Sequence, residues 1–138
     1  MRKKIIFRLV TTFTKVLFKA VQKRDKRFKK MTDSFDAEYQ FRCGKSVRRL
    51  IFNNGNIRTE SNESSSFDLE INFIDMLGVA KKLKENPSDM LMLMIENLIC
   101  ISGNTYYLFK FGYLFSICDY HYKHNAGKFS IFSLLFRL

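Results

Sequence analysis

The sequence predicts an α+β domain, in which an N-terminal helix precedes about five mainly antiparallel strands and the sheet is covered on one face by helices. Apolar residues recur in steps of three and four between Ile5 and Val21, the period of an amphipathic helix. Over Phe35–Cys43, and again over Phe67–Phe73, they alternate with polar residues, the period of a strand with one buried face. Helical spacing returns beyond Asp75. At 138 residues, 46% of them hydrophobic, the chain is long enough for one core and too apolar to remain disordered.

The first helix carries Ile5, Ile6, Leu9, Val10, Phe13, Val16, Leu17, Ala20 and Val21 as its apolar stripe, with Arg8, Lys15 and Lys19 between them. Two readings suit it. It covers the core and turns a basic face to water, or it lays Phe and Leu against lipid while its cations meet anionic head groups. Lys23 to Lys30 is too polar to pack and reads as a linker or a surface patch. In the first strand Phe35, Ala37, Tyr39, Phe41 and Cys43 share a face. Val47–Asn53 and Ile57–Glu60 flank Asn54-Gly55, a pair that readily takes the positive φ of a tight turn, so these strands form an antiparallel hairpin. Ser61–Ser66 is a polar loop, after which Phe67, Leu69, Ile71 and Phe73 face one way.

Leu77, Ala80 and Leu83, with Lys81, Lys82 and Lys84, mark a short helix that Asn86-Pro87 stops. The apolar run Met90–Ile95 has no decisive period, but Met and Leu favour helix. Leu98–Ile101 reads as a buried strand ended by Ser102-Gly103, and Asn104 caps a helix running from Thr105 towards Cys118. That helix is apolar almost all round and is expected to be buried on both sides or to line a cavity. Residues 119–138 form an extension ending in Phe129, Ile131, Phe132, Leu134, Leu135, Phe136 and Leu138, which closes the core or needs a partner. The expected division is therefore 1–30, a basic helix and linker; 31–118, the α+β domain; and 119–138, the apolar extension.

The net charge of +11 is local. Residues 1–30 hold twelve Lys or Arg and one Asp, whereas the rest of the chain carries twelve of each sign. An anionic partner meets the N-terminal segment first. Cys43, Cys100 and Cys118 are too few and too scattered for a disulfide framework or a C-x-x-C pair, and each reads as a small buried hydrophobe in a reducing compartment. Cations interrupt every apolar run before signal-peptide length, and no stretch reaches the ~20 apolar residues of a membrane span, so a cytoplasmic, membrane-peripheral protein is expected.

No phosphate-binding Gly-rich loop, H-E-x-x-H or G-x-S-x-G is present, so the motifs of nucleotide, zinc and serine chemistry are missing. Cys118, His121 and His124 fall near one another on a helix, but two His in a polar stretch fall short of the three or four convergent ligands zinc takes. No catalytic residue, metal or cofactor is expected.

Three segments then stand in a telling order behind the hairpin strands: Phe67-Asp-Leu-Glu-Ile-Asn-Phe73, Leu98-Ile-Cys-Ile-Ser-Gly-Asn104, and Tyr107-Leu-Phe-Lys-Phe111 with Leu114-Phe115. They resemble, in turn, the strand before the short helices, the apolar strand ending in Gly plus an acid, and the following apolar helix of the sterol carrier protein 2 (SCP2) family. The resemblance spans about residues 33–117 and is best from Ser66 to Ser116. Asn104 replaces the usual acid, Glu96-Asn97 stands where a small residue or Gly is common, and 119–138 runs past the usual end.

The resemblance implies a noncatalytic domain with an apolar tunnel between sheet and helices, holding a fatty acyl chain, a sterol or an isoprenoid such as a quinone precursor. Leu69, Ile71 and Ile99 from the sheet, and Met90, Met92, Met94, Phe109, Phe111 and Phe115 from the helices, are its expected lining. Met and aromatic side chains adapt to varied ligands, each buried CH₂ being worth about 0.8 kcal/mol. Plain core filling is the alternative for each of them. Lys3, Lys4, Arg8, Lys15, Lys19, Lys23 and Arg24 are the expected contacts with an anionic membrane surface. Two other classes compete: a protein interaction module docking through its apolar C-terminus, and nucleic-acid binding through residues 1–30, where Phe7, Phe13, Phe18 and Phe28 accompany the cations. The nucleic-acid reading is the weaker, since Phe13 belongs to the apolar stripe and no recognised motif follows.

Overall fold

The computed structural model describes residues 2–85 and 90–125. The Asn86-Pro87 stop and the apolar run from Phe129 to Leu138 lie outside them. Helices α1 (Arg2–Arg24) and α2 (Lys26–Asp33) precede strands β1 (Ala37–Cys43), β2 (Ser46–Asn53), β3 (Asn56–Glu60) and β4 (Leu69–Phe73). Helices α3 (Met76–Glu85) and α4 (Met90–Ile95), strand β5 (Ile99–Gly103) and helix α5 (Thr105–Asn125) complete the described residues. The α+β class and one-sided sheet are as the patterns predict.

The sheet order is β3-β2-β1-β4-β5. All neighbours are antiparallel except β1 and β4, which pair in parallel with Tyr39 opposite Leu69 and Phe41 opposite Ile71. Strand alternation sends Tyr39, Phe41, Leu69, Ile71 and Phe73 to the helical side. It sends Glu38, Gln40, Arg42, Arg49 and Glu70 to the other. On that open face Arg49 pairs with both Glu38 and Glu60, and Arg42 with Glu63 and Glu70. The Gln40 amide donates to Glu70 at 2.5 Å, and its oxygen accepts from the Ser64 backbone at 2.8 Å, tying the 61–66 loop down. Buried polar groups here are matched, as burial demands.

Two turns follow the expected chemistry. Asn54 and Gly55 take φ of 48° and 85° between β2 and β3. At Gly103 φ is 113°, and a Cβ would lie 2.4 Å from the Asp68 carbonyl oxygen, so only glycine lets β5 end against β4 there. Asn97, where the family resemblance has a small residue or Gly, also takes a positive φ of 57° after α4.

The segment expected to be too polar to pack is instead α2. The Asp25 carboxylate caps it, accepting from the backbone of Arg27 and Phe28 at 2.9 and 3.2 Å. Its surface is basic, but Phe28 is fully buried, edge-on to Phe18 at 5.3 Å. Phe28 and Met31 among four cations escape a periodicity search and are still enough to dock a short helix.

Candidate functional site

α1 lies over the sheet, but its buried arc is not the one hydropathy selects. Phe7, Val10, Thr11, Thr14, Leu17, Phe18 and Val21 face inward, while Ile5, Leu9 and Val16 are at least half exposed. Two threonines enter the arc because their hydroxyls donate back to the Phe7 and Val10 carbonyls at 2.9 and 2.8 Å, leaving methyl groups for the interior. Phe18 then meets Phe28, Phe52, Phe111 and Phe115, its ring centres 5.0–6.1 Å from theirs. Phe7, Phe18 and Phe28 are fully buried and present no ring to a nucleic-acid base.

Between these layers lies an apolar seam. Val10, Thr11 and Thr14 of α1, Phe41 and Phe73 of the sheet, Val79 and Leu83 of α3, Leu93 of α4, and Phe111 and Phe115 of α5 line about 30 Å³ of space. That is room for a water or two, far below the roughly 300–1,000 Å³ of small-molecule sites. The lining contains no acid, base or thiol, and its threonine hydroxyls are committed to the backbone. At the sheet's edge of the core the Tyr39 hydroxyl donates to the Tyr107 carbonyl at 2.8 Å, and burial pushes its pKa well above the phenol's ordinary value.

Of the residues expected to line a pocket, Phe111 and Phe115 reach the seam. Leu69, Ile71 and Ile99 are fully buried core residues on the same side of the sheet, and Met94 is partly buried against that core. Met92 and Phe109 point outward, 39% and 62% exposed. Burial on α5 falls at Leu108, Phe111, Leu114, Phe115, Ile117 and Cys118, a helical repeat that leaves Phe109 on the opposite side with Tyr106 and Tyr113. So α5 is one-sided, not buried all round, and runs on past Cys118 to Asn125. Among the described side chains of α4 the fully buried one is Leu93, which an unbroken apolar run gives no means of singling out. Nothing is described for the side chain of Met90.

Cys43 is half-buried and Cys118 fully buried, with the thiol pKa of Cys118 pushed up by burial and then by the carboxylates of Asp25 and Asp119. Cys100, expected inside, is exposed, because the flanking Ile99 and Ile101, opposite Phe73 and Ile71, take the helical side. His121 sits 3.8 Å from Asp25, and among the described residues no three His, Cys, Asp or Glu converge as metal ligands. Of the seven expected surface cations, Lys15 is half-buried and Lys3, Lys4, Arg8, Lys19, Lys23 and Arg24 are exposed. Lys4, Arg8, Lys15, Lys19 and Lys23 lie along one flank of the exposed side of α1, beside Ile5, Leu9 and Val16. Among the described residues no helix is long and apolar enough to cross a membrane.

The chain has an SCP2-like fold. Its matches among solved structures include a UbiJ-SCP2 ubiquinone synthesis protein, with a TM-score of 0.63 and 14% identity over 81% of this chain and 93% of that one. The stereoselective inverting sec-alkylsulfatase Pisa1 from Pseudomonas sp. gives 0.52 and 12%, over 62% of this chain and 14% of that one. Sterol carrier protein 2 like 2 from Aedes aegypti gives 0.49 and 17%, over 78% and 97%. No family model and no curated protein matches the chain.

Proposed function

We propose that the chain is a noncatalytic lipid-binding module that takes a fatty acyl, sterol or isoprenoid chain into the seam between sheet and helices. The observation that carries this reading is the pairing of seam and surface on α3 and α4. Both helices line the seam, through Val79, Leu83 and Leu93. The same helices hold Leu77, Leu91, Met92 and Ile95 at 39–71% exposure, an apolar exterior over an apolar interior. An acyl chain exceeds 30 Å³, so entry requires Leu93, Phe111 and Phe115 to move apart. The energy of each buried methylene, about 0.8 kcal/mol, opposes the cost of opening. The cations and exposed apolar residues of α1 suit contact with an anionic membrane, from which such a ligand is drawn.

Native mass spectrometry of protein purified without detergent, followed by solvent extraction, tests the reading. A stoichiometric acyl lipid or isoprenoid is the expected result. The name of the UbiJ-SCP2 neighbour makes a polyprenyl chain a natural probe beside fatty acids. A clean apo mass with no uptake of either would mean a solid core and no carrier.

A further inference from the structure

At the start of α1 a second cavity, about 450 Å³, opens between the helix, the β1–β2 turn and the first residues of β2. That volume lies within the usual range of small-molecule sites. Lys4 and Arg8 line it from α1, Lys45 from the turn, Arg48 from β2, and Ser46 and Ser61 add hydroxyls. Among the described residues none of these four cations is paired with a carboxylate.

Arg48 is the telling member. Strand register puts it opposite Phe41, on the helical side of the sheet. One guanidinium nitrogen donates to Thr12 at 3.1 Å, while Nε is buried without a partner. Burial, and then the charge of Arg8, hold its pKa below the ordinary arginine value. The first turn of α1 compounds the imbalance, since it carries Arg2, Lys3 and Lys4 and no acid at the positive end of the helix dipole. Cations gathered in this way repel one another, and a bound anion relieves all of these costs together.

We propose that Lys4, Arg8, Lys45 and Arg48, with Ser46 and Ser61, form a binding site for a phosphate group, either that of a soluble phosphate ester or that of a phospholipid head. The site does not depend on the seam holding a lipid.

The test titrates the full chain, in phosphate-free buffer, with inorganic phosphate and separately with vesicles of phosphatidylcholine containing phosphatidylglycerol, following backbone amide shifts. Saturable shifts at Lys45–Val47 are expected, weakened at least about tenfold in Lys45→Gln/Arg48→Gln. The equal charge change Lys29→Gln/Lys30→Gln, on exposed positions of α2, leaves them intact. Should the first pair fail to fold, Lys45→Glu in the exposed turn carries the same expectation. Binding of inorganic phosphate without vesicles identifies a soluble ester, and vesicle binding that depends on Lys45 identifies the head group. Equal weakening by the α2 pair, no saturable shift with either probe, or an oligonucleotide binding with equal dependence on both pairs overturns the site.

Discussion

Among the described residues α1 and α5 are the two longest helices, of 23 and 21 residues, and they lie on the same face of one sheet, touching through Phe18, Phe111 and Phe115. They divide their residues differently. α1 separates charge from burial, with eight Lys or Arg among its residues, yet it admits Thr11 and Thr14 to the interior and leaves Leu9 and Val16 outside. α5 has little charge to separate; it buries Leu114 and Cys118 completely while Tyr106, Phe109 and Tyr113 stand out at 49–62% exposure. Hydropathy therefore misplaces α1 by the angle between a methyl-bearing threonine and an exposed leucine, and gives almost no angle at all for α5. A side chain's place is set by what it meets across the core, and residue type carries only part of that.

Substitutions at matched positions sharpen the contrast. Phe18→Ala, removing the ring that meets four others, is expected to cost about 3–5 kcal/mol, and Leu114→Ala about 2–5 kcal/mol, by urea unfolding. Values below about 1 kcal/mol for either would mean that helix is not part of the core. Tyr39→Phe removes a single hydrogen bond to α5 and should cost about 1 kcal/mol. Leu9→Ser and Phe109→Ser, on the outward sides, should stay within about 0.5 kcal/mol despite deleting large apolar groups. A large loss at Phe109 would mean that its face is covered in solution. Thiol labelling gives a graded check on register and burial. Because thiolate is the reactive form and the pKa of Cys118 is raised, that thiol stays protonated and inert through mildly alkaline pH, whereas exposed Cys100 reacts first. Mass-spectrometric mapping of the first modified cysteine decides it, and early loss of Cys118 would contradict the packing of α5.

The sheet was the most legible part of the chain. Alternation is a strict period of two, so Tyr39, Phe41, Leu69 and Ile71 could be placed on one face from spacing alone, and Asn54-Gly55 marked the hairpin. Helix faces were less legible. Unbroken apolar runs at Met90–Ile95 and Leu98–Ile101 contain no phase, so nothing in them separates buried Leu93 from exposed Met92, or the inward Ile99 from the exposed Cys100. The parallel pairing of β1 with β4 leaves no local trace, because it joins strands that are distant in sequence. Arg48 was hidden for the same kind of reason: a cation on the helical side of a strand contradicts the binary pattern, and departures of that sort gather at sites with work to do.

The contact of Phe18 with Phe111 and Phe115 also bears on how the chain is made. α1 leaves the ribosome well before α5, and the rings that bury its central phenylalanine belong to that last described helix; closing so wide a loop is slow and entropically unfavourable. The β1–β2–β3 meander can form from neighbours alone, while a strongly basic helix with Phe7 and Phe18 uncovered waits for the remainder of the chain. During that interval the nascent protein presents a surface that the finished fold conceals, and chaperone binding to stalled, truncated chains is the place to look for it.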